Sequence, residues 1–191
     1  MPEYRRAFVP GGTFFFTVVS ERRFPLFGSA PARSFLREAF AATSARWPFA
    51  IDAIVVLPDH LHTIWTLPDN DHDFSTRWSF LKRTFTKAWI KQGGCEQALS
   101  ASRVRNRRRG VWQRRFWEHA IRNETDFARH CDYIHYNPVK HGVASCPHSW
   151  AFSSFRQFVA DRIYDEDWLC SCSRRQVKAP DFSRIAETAV E

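Results

Sequence analysis

The chain opens its regular patterning with Phe14-Phe-Phe-Thr-Val-Val19, an aromatic and β-branched run that follows the turn signal Pro10-Gly-Gly-Thr13 and reads as a buried strand. Arg22, Arg23 and Phe24-Pro25 interrupt it. Over residues 31–47 the positions Phe35, Leu36, Ala39, Phe40 and Thr43 recur at helical spacing, with Pro31 in the first turn and Pro48 as the stop. Residues 51–56 and 61–67 are strand-like again and are joined by a Pro58-Asp59 turn. A polar loop over 68–73 leads into a helix capped by Asp73 or Ser75 and running to about Gln92. One side of it carries Trp78, Leu81, Phe85, Ala88 and Trp89; the other carries Arg77, Lys82, Arg83, Lys87 and Lys91. Gly93-Gly94 stops it. Residues 100–109 show no apolar periodicity and read as a mobile loop. Residues 112–121 read as a fourth strand. A last helix opens at Asn123, with Asp126 three positions on, and Asn137-Pro138 closes it.

Strand, helix, strand, strand, helix, strand, helix is close to a ferredoxin-like plan. The expected fold is therefore α+β, an antiparallel sheet with helices packed on one face and a further helix at the C-terminal side. No repeats are present. Residues 1–165 form one expected domain, and 166–191, with little apolar periodicity, form an expected flexible basic tail that orders on binding.

Composition narrows the function. At 191 residues with 16% aromatics, the chain can build one full core, which excludes general disorder. The net charge of +8 and a pI near 9.7, supplied mainly by Arg, favour a polyanionic partner. The charge is concentrated in Arg103, Arg105, Arg107, Arg108 and Arg109, which are costly to hold together without an anion. Just beyond, Trp112, Arg114, Arg115, Phe116 and Trp117 alternate stacking and phosphate-binding side chains, a mixture suited to single-stranded nucleic acid. Five cysteines (Cys95, Cys131, Cys146, Cys170 and Cys172) include no Cys-x-x-Cys pair. With no signal peptide and no apolar run long enough for a membrane span, reduced thiols in a cytoplasmic protein are expected.

Two constellations carry chemistry. His60 and His62, in Pro58-Asp-His-Leu-His62, emerge on one face of a strand and can offer two nitrogens to a single divalent metal. A bare His-x-His equally suits two polar residues on a wet strand face. Tyr133 and Asn137, in Asp132-Tyr-Ile-His-Tyr-Asn-Pro-Val-Lys-His-Gly142, lie one helical turn apart. An Asn oxygen is a hard ligand suited to Mg²⁺ or Mn²⁺, and a phenol beside it could attack a phosphorus polarised by that metal. Alone, the same spacing also fits a core Tyr and an Asn that ends its helix. Three other readings stand beside this one: a nucleic-acid-binding regulator without catalysis, a zinc module using Cys131, His135, Cys146 and His148, and a metal-dependent hydrolase of small substrates.

Taken together, the motifs resemble the HUH single-tyrosine transposases, and within them the REP-associated tyrosine transposases. Tyr4-Arg5-Arg6 with Pro10-Gly-Gly-Thr-Phe14, Leu57-Pro-Asp-His-Leu-His62, Gly110-Val-Trp-Gln-Arg-Arg-Phe-Trp-Glu-His119, the Asp132–Gly142 stretch and Trp150-Ala-Phe-Ser-Ser-Phe155 carry the resemblance over residues 4–160. It implies that His60, His62 and Asn137 hold a divalent metal, Mg²⁺ or Mn²⁺, and that Tyr133 rather than Tyr136 is the nucleophile. It also implies a 5′-phosphotyrosine link to single-stranded DNA, palindromic hairpins as substrate with the arginine and aromatic residues above as their grip, and a monomer or a dimer.

Overall fold

The computed structural model describes residues 8–106, 108–171 and 179–189. Strands β1 (Thr13–Val19), β2 (Ala50–Val56), β3 (His60–Thr66) and β4 (Trp117–Ala120) form one antiparallel sheet in the order β2-β3-β1-β4. Between β1 and β2 lies α1 (Ala30–Arg46), and between β3 and β4 lie α2 (Phe74–Lys91) and the short α3 (Ala101–Arg105). This is the ferredoxin-like arrangement expected from the element order. After β4 come α4 (Glu124–Lys140), α5 (Phe155–Ala160) and α6 (Ser183–Thr188).

Period-two alternation sorts the strand residues between two cores. Phe14, Phe16, Val18, Leu61 and Trp65 face α1 and α2, where they meet Leu36, Phe40, Trp78 and Phe85. Trp65 stacks on Trp78 with ring centroids 4.2 Å apart. Phe15, Val55 and Ile64 face the other way, against Cys131, Tyr133 and Ile134 of α4. Helices thus cover both faces of the sheet. Each fully buried aromatic of these layers contributes on the order of 2–3 kcal/mol by removal from water.

Several boundaries differ from the expected ones, each for a local reason. Ser29 caps α1 by accepting from the Ala32 amide; Asp73, one of the two caps expected for α2, does cap it by accepting from the Thr76 amide. Arg77 does not join the basic outer face of α2. It is buried, and its guanidinium donates to the carbonyls of Trp47, Pro48 and Asp73 and to the Asp71 carboxylate, tying α1 to α2. The arginine segment contains a helical turn, α3, where a loop was expected. The fourth strand is shorter than expected; Trp112 makes only an isolated bridge to Ser20. The C-terminal segment is also not an appendage where it is described, because Phe182, Ile185 and Ala189 pack into the α4 core.

The largest departure is α4. It runs through Pro138 to Lys140, then closes on Gly142, whose φ of +65° lies in the left-handed region that glycine adopts freely. Pro138 forgoes one amide donor, yet the His141 amide still reaches the Asn137 carbonyl and the Val143 amide the Pro138 carbonyl.

On its outer side α4 is fastened by His135, which hydrogen-bonds with Ser154 Oγ at 2.8 Å and the Tyr164 hydroxyl at 3.3 Å. Ser154 Oγ in turn accepts from the Ile54 amide of β2 at 2.9 Å. Burial pushes the His135 imidazole down from 6.5 to about 3. The folded protein therefore binds fewer protons at this site than the unfolded chain, and stability present above 6.5 is lost as the pH falls toward 3. We expect denaturant unfolding to weaken by roughly 1 kcal/mol per pH unit from this group on acidification below neutrality. His130, also pushed down by burial, adds to the slope. A His135→Asn variant is expected to show a shallower pH dependence than the parent, whatever its absolute stability.

Candidate active site and nucleic-acid interface

His60 and His62 sit on β3, a central strand, opposite Val19 and Thr17 of β1. They are not on a wet face: each is at most 1% exposed, under α4. Their rings lie 5.0 Å apart. The Nδ1 atom of His60 hydrogen-bonds to the Asp59 carboxylate at 2.6 Å, and that of His62 pairs with Thr17 Oγ1 at 2.9 Å. Asp59 also accepts from Arg23 at 3.1 Å. Burial alone would raise the Asp59 carboxyl, but the His60 and Arg23 partners outweigh it and hold the group at about 2. The His62 ring further stacks on Phe15, 5.4 Å between centroids.

Across from this pair, α4 brings Tyr133, with its ring 5.3 Å from that of His62. Tyr133 and Asn137 are fully buried, one turn apart on the inner side of the helix. Because α4 continues through Pro138, Lys140 comes back along the same side two turns beyond Tyr133. Its ammonium donates to the Tyr133 hydroxyl at 3.1 Å and lies 4.9 Å from the ring centre. Tyr136, three residues on, lies against Phe182 at 5.7 Å. Phe182 also packs edge-on to Tyr133 at 5.6 Å, so α6 roofs the tyrosine.

The donors can hold a divalent cation: His60 and His62 have Nδ1 tied to a carboxylate and a hydroxyl, the supporting contacts that orient metal-ligating histidines, and the buried Asn137 of the facing helix carries a neutral oxygen.

The basic residues gather elsewhere, around a cleft of about 800 Å³ between α2 and the segment over 103–116. Among the described residues, every charged side chain lining it is basic: Lys82, Arg83, Lys87, Lys91, Arg103, Arg108, Arg109 and Arg114. Two of these arginines already have carboxylate partners. Arg103 bridges to Glu21 at 2.6 Å, and Arg109 pairs with Glu96. Arg105, Arg114 and Arg115 are exposed, while Arg107 lies outside the described residues, as does the Tyr4-Arg5-Arg6 motif. Of the aromatics expected to stack on bases, Trp112 and Phe116 line this cleft, and all three also pack on the cores. Trp112 is buried against Phe27 and Phe85, Phe116 packs on Phe16 and Trp78, and Trp117 on Phe15.

No model of a known protein family matches the chain. Individual proteins do. A REP-associated tyrosine transposase of Escherichia coli K12 is 44% identical over 169 residues, spanning 88% of this chain and 91% of the relative. A Haemophilus influenzae protein provisionally given the same designation is 44% identical over 168 residues, 88% of this chain and 93% of its own. The chain belongs to the REP-associated tyrosine transposases. A solved REP-associated tyrosine transposase bound to a REP hairpin superposes with a TM-score of 0.76 at 42% identity, covering 96% of both chains. Family and fold thus agree with what the motifs and the element order imply.

Around the expected site residues of this REP-associated tyrosine transposase stand others to which the motifs assign no role. Lys140 could have been found from its spacing of seven from Tyr133, two turns on the same side, had Pro138 not been read as a helix end. Asp59 and Thr17 hold the histidines but carry no signal of their own in the sequence. His119 of β4 clusters with Asp126 and His130 of α4, its Nε2 2.8 Å from the Asp126 carboxylate. His141 sets its ring 5.0 Å from that of His60. No helix among the described residues is long and apolar enough to cross a membrane.

Proposed function

We propose that this protein is a metal-dependent transesterase of single-stranded DNA, nicking and rejoining strands at REP-type palindromic hairpins during transposition in the cytoplasm. The observation that carries the proposal is the juxtaposition of Tyr133 with His62, 5.3 Å apart across the face between β3 and α4. The hairpin-bound relative supports the choice of substrate.

His60, His62 and Asn137 would hold the cation, Mg²⁺ or Mn²⁺, which when bound supplies Lewis-acid polarisation of the scissile phosphate. The Tyr133 oxygen attacks phosphorus, the bond from phosphorus to the 3′-oxygen breaks, and a 5′-phosphotyrosine forms. The phenol gives up its proton, and the departing 3′-oxygen takes one up as a free hydroxyl. Attack by that hydroxyl, or by another 3′-end, reverses the step. Lys140, already donating to the Tyr133 oxygen, orients that oxygen and leaves a positive charge beside the reacting phosphate. Strand access requires Phe182 to move off Tyr133, since the tyrosine is fully buried.

The basic cleft is the proposed grip on the hairpin backbone. Arg108 and Arg114 line it, and replacing both with Ala is expected to lower hairpin affinity and to reduce the slope of log K against log salt by roughly two, one per phosphate contact. An unchanged slope would place the DNA elsewhere.

Trypsin should release residues 130–140 as one peptide containing both Tyr133 and Tyr136. Fragmentation of that peptide from a protein–DNA adduct tests the assignment: the nucleotide mass is expected on Tyr133, and finding it on Tyr136 would overturn the reading.

A further inference from the structure

Outside the site above, the segment after α4 carries Cys146 and His148, and the segment after α5 carries Cys170. Cys146 and Cys170 are joined as a disulfide. A ring nitrogen of His148 and the two sulfurs all lie within 4.8 Å of one another. Both cysteines are buried, at 2% and 6% exposure. The His148 Nδ1 atom is buried as well and has no hydrogen-bond partner among the described residues.

The backbone is arranged to hold these three together. The Ser149 amide and hydroxyl both donate to the Cys146 carbonyl, curling the 3-10 turn Pro147–Ser149 so that His148 returns beside Cys146. The Ser171 amide and hydroxyl both donate to the Ser145 carbonyl, clamping the two segments side by side. A disulfide uses the two sulfurs and gives the buried imidazole nitrogen nothing to bond. Two thiolates and an imidazole around one soft divalent ion use all three donors.

We propose that in its reduced form this cluster is a zinc site, with Cys146, His148 and Cys170 as ligands and the remaining coordination position open to water. Reduction of the disulfide by a thiol or phosphine consumes two electrons and two protons and gives two thiols. Zinc binding then expels both thiol protons and forms two S–Zn bonds and one N–Zn bond. The site would pin the segment following the tyrosine helix to the chain beyond α5. The cysteine–histidine pattern weighed in the sequence thus reappears with Cys170 in place of Cys131, which lies in the α4 core.

The test is a Co²⁺ titration of the full-length chain reduced with a phosphine, followed by Zn²⁺ displacement. Expected are one thiolate-bound Co²⁺ per chain, counted from its thiolate-to-cobalt charge-transfer absorption, and tetrahedral-type visible bands, both erased by Zn²⁺. The imidazole pair at His60 and His62 has no sulfur and cannot produce that absorption. Absence of the thiolate band in the unmodified reduced chain, which needs no variant to fold, overturns the proposal. In variants, Cys146→Ser and Cys170→Ser should each lose the band. His148→Ala should weaken Co²⁺ at least about tenfold, because even outer-shell partners of a metal are worth about 10–100-fold. A band that survives unchanged in both cysteine variants, or equal affinity in His148→Ala, would also overturn it.

Discussion

Tyr133→Phe is expected to remove the covalent DNA adduct and to lower strand cleavage by at least about 10⁴-fold, the scale seen when a nucleophile is deleted. Hairpin affinity should stay within about twofold, because the basic cleft is untouched. The substitution is mild for the fold. Phenylalanine keeps the ring contacts with Phe15, His62 and Phe182 and gives up only the hydroxyl and its bond from Lys140, worth on the order of 1 kcal/mol. Tyr136→Phe is expected to leave the adduct intact, since it is the Tyr133 ring that lies 5.3 Å from His62. Parallel gels of the two variants separate chemistry from binding.

His62→Ala should abolish metal-dependent cleavage and metal binding together. It is also expected to cost stability, about 2–4 kcal/mol, because the imidazole is fully buried, stacks on Phe15 and pairs with Thr17. Loss of activity alone would therefore be ambiguous. The decisive reading is ligand-induced stabilisation. At a Mn²⁺ concentration of about 100 times Kd, the parent gains roughly 2.7 kcal/mol in unfolding free energy, and the variant is expected to gain almost none. A variant that melts earlier but is still stabilised by Mn²⁺ as the parent is would show that His62 is a packing residue and not a ligand.

Much of this arrangement was legible in the sequence. The aromatic run at Phe14–Phe16, the helical spacing from Phe35 to Thr43 and the turn at Pro58-Asp59 give the element order, and that order gives the sheet. Reading His60 and His62 as same-face neighbours needed only the two-residue period of a strand. What periodicity could not show was that this face is itself a core, because the helix that covers it lies some 60 residues later in the chain. Proline misled at Pro138: its missing amide is tolerated near a helix end, and the extra turn it allows is what delivers Lys140 to Tyr133. At Trp112 and Phe116, alternation with arginine shows a surface of rings and charge but not that the same rings also pack on the core behind the basic cleft. The tail misled for the opposite reason. Phe182, Ile185 and Ala189 are too few apolar positions to register as a periodic pattern, yet one turn of helix suffices to roof the tyrosine.

A metal-dependent covalent bond between Tyr133 and DNA is tested most directly by a denaturing gel of the protein mixed with end-labelled single-stranded REP hairpin, run with Mg²⁺ or Mn²⁺ and with chelator. A labelled band is expected that migrates with the protein, requires the metal and disappears in Tyr133→Phe. Retardation on a native gel with no covalent band under any of these conditions would contradict it and leave a hairpin-binding protein without strand-transfer chemistry.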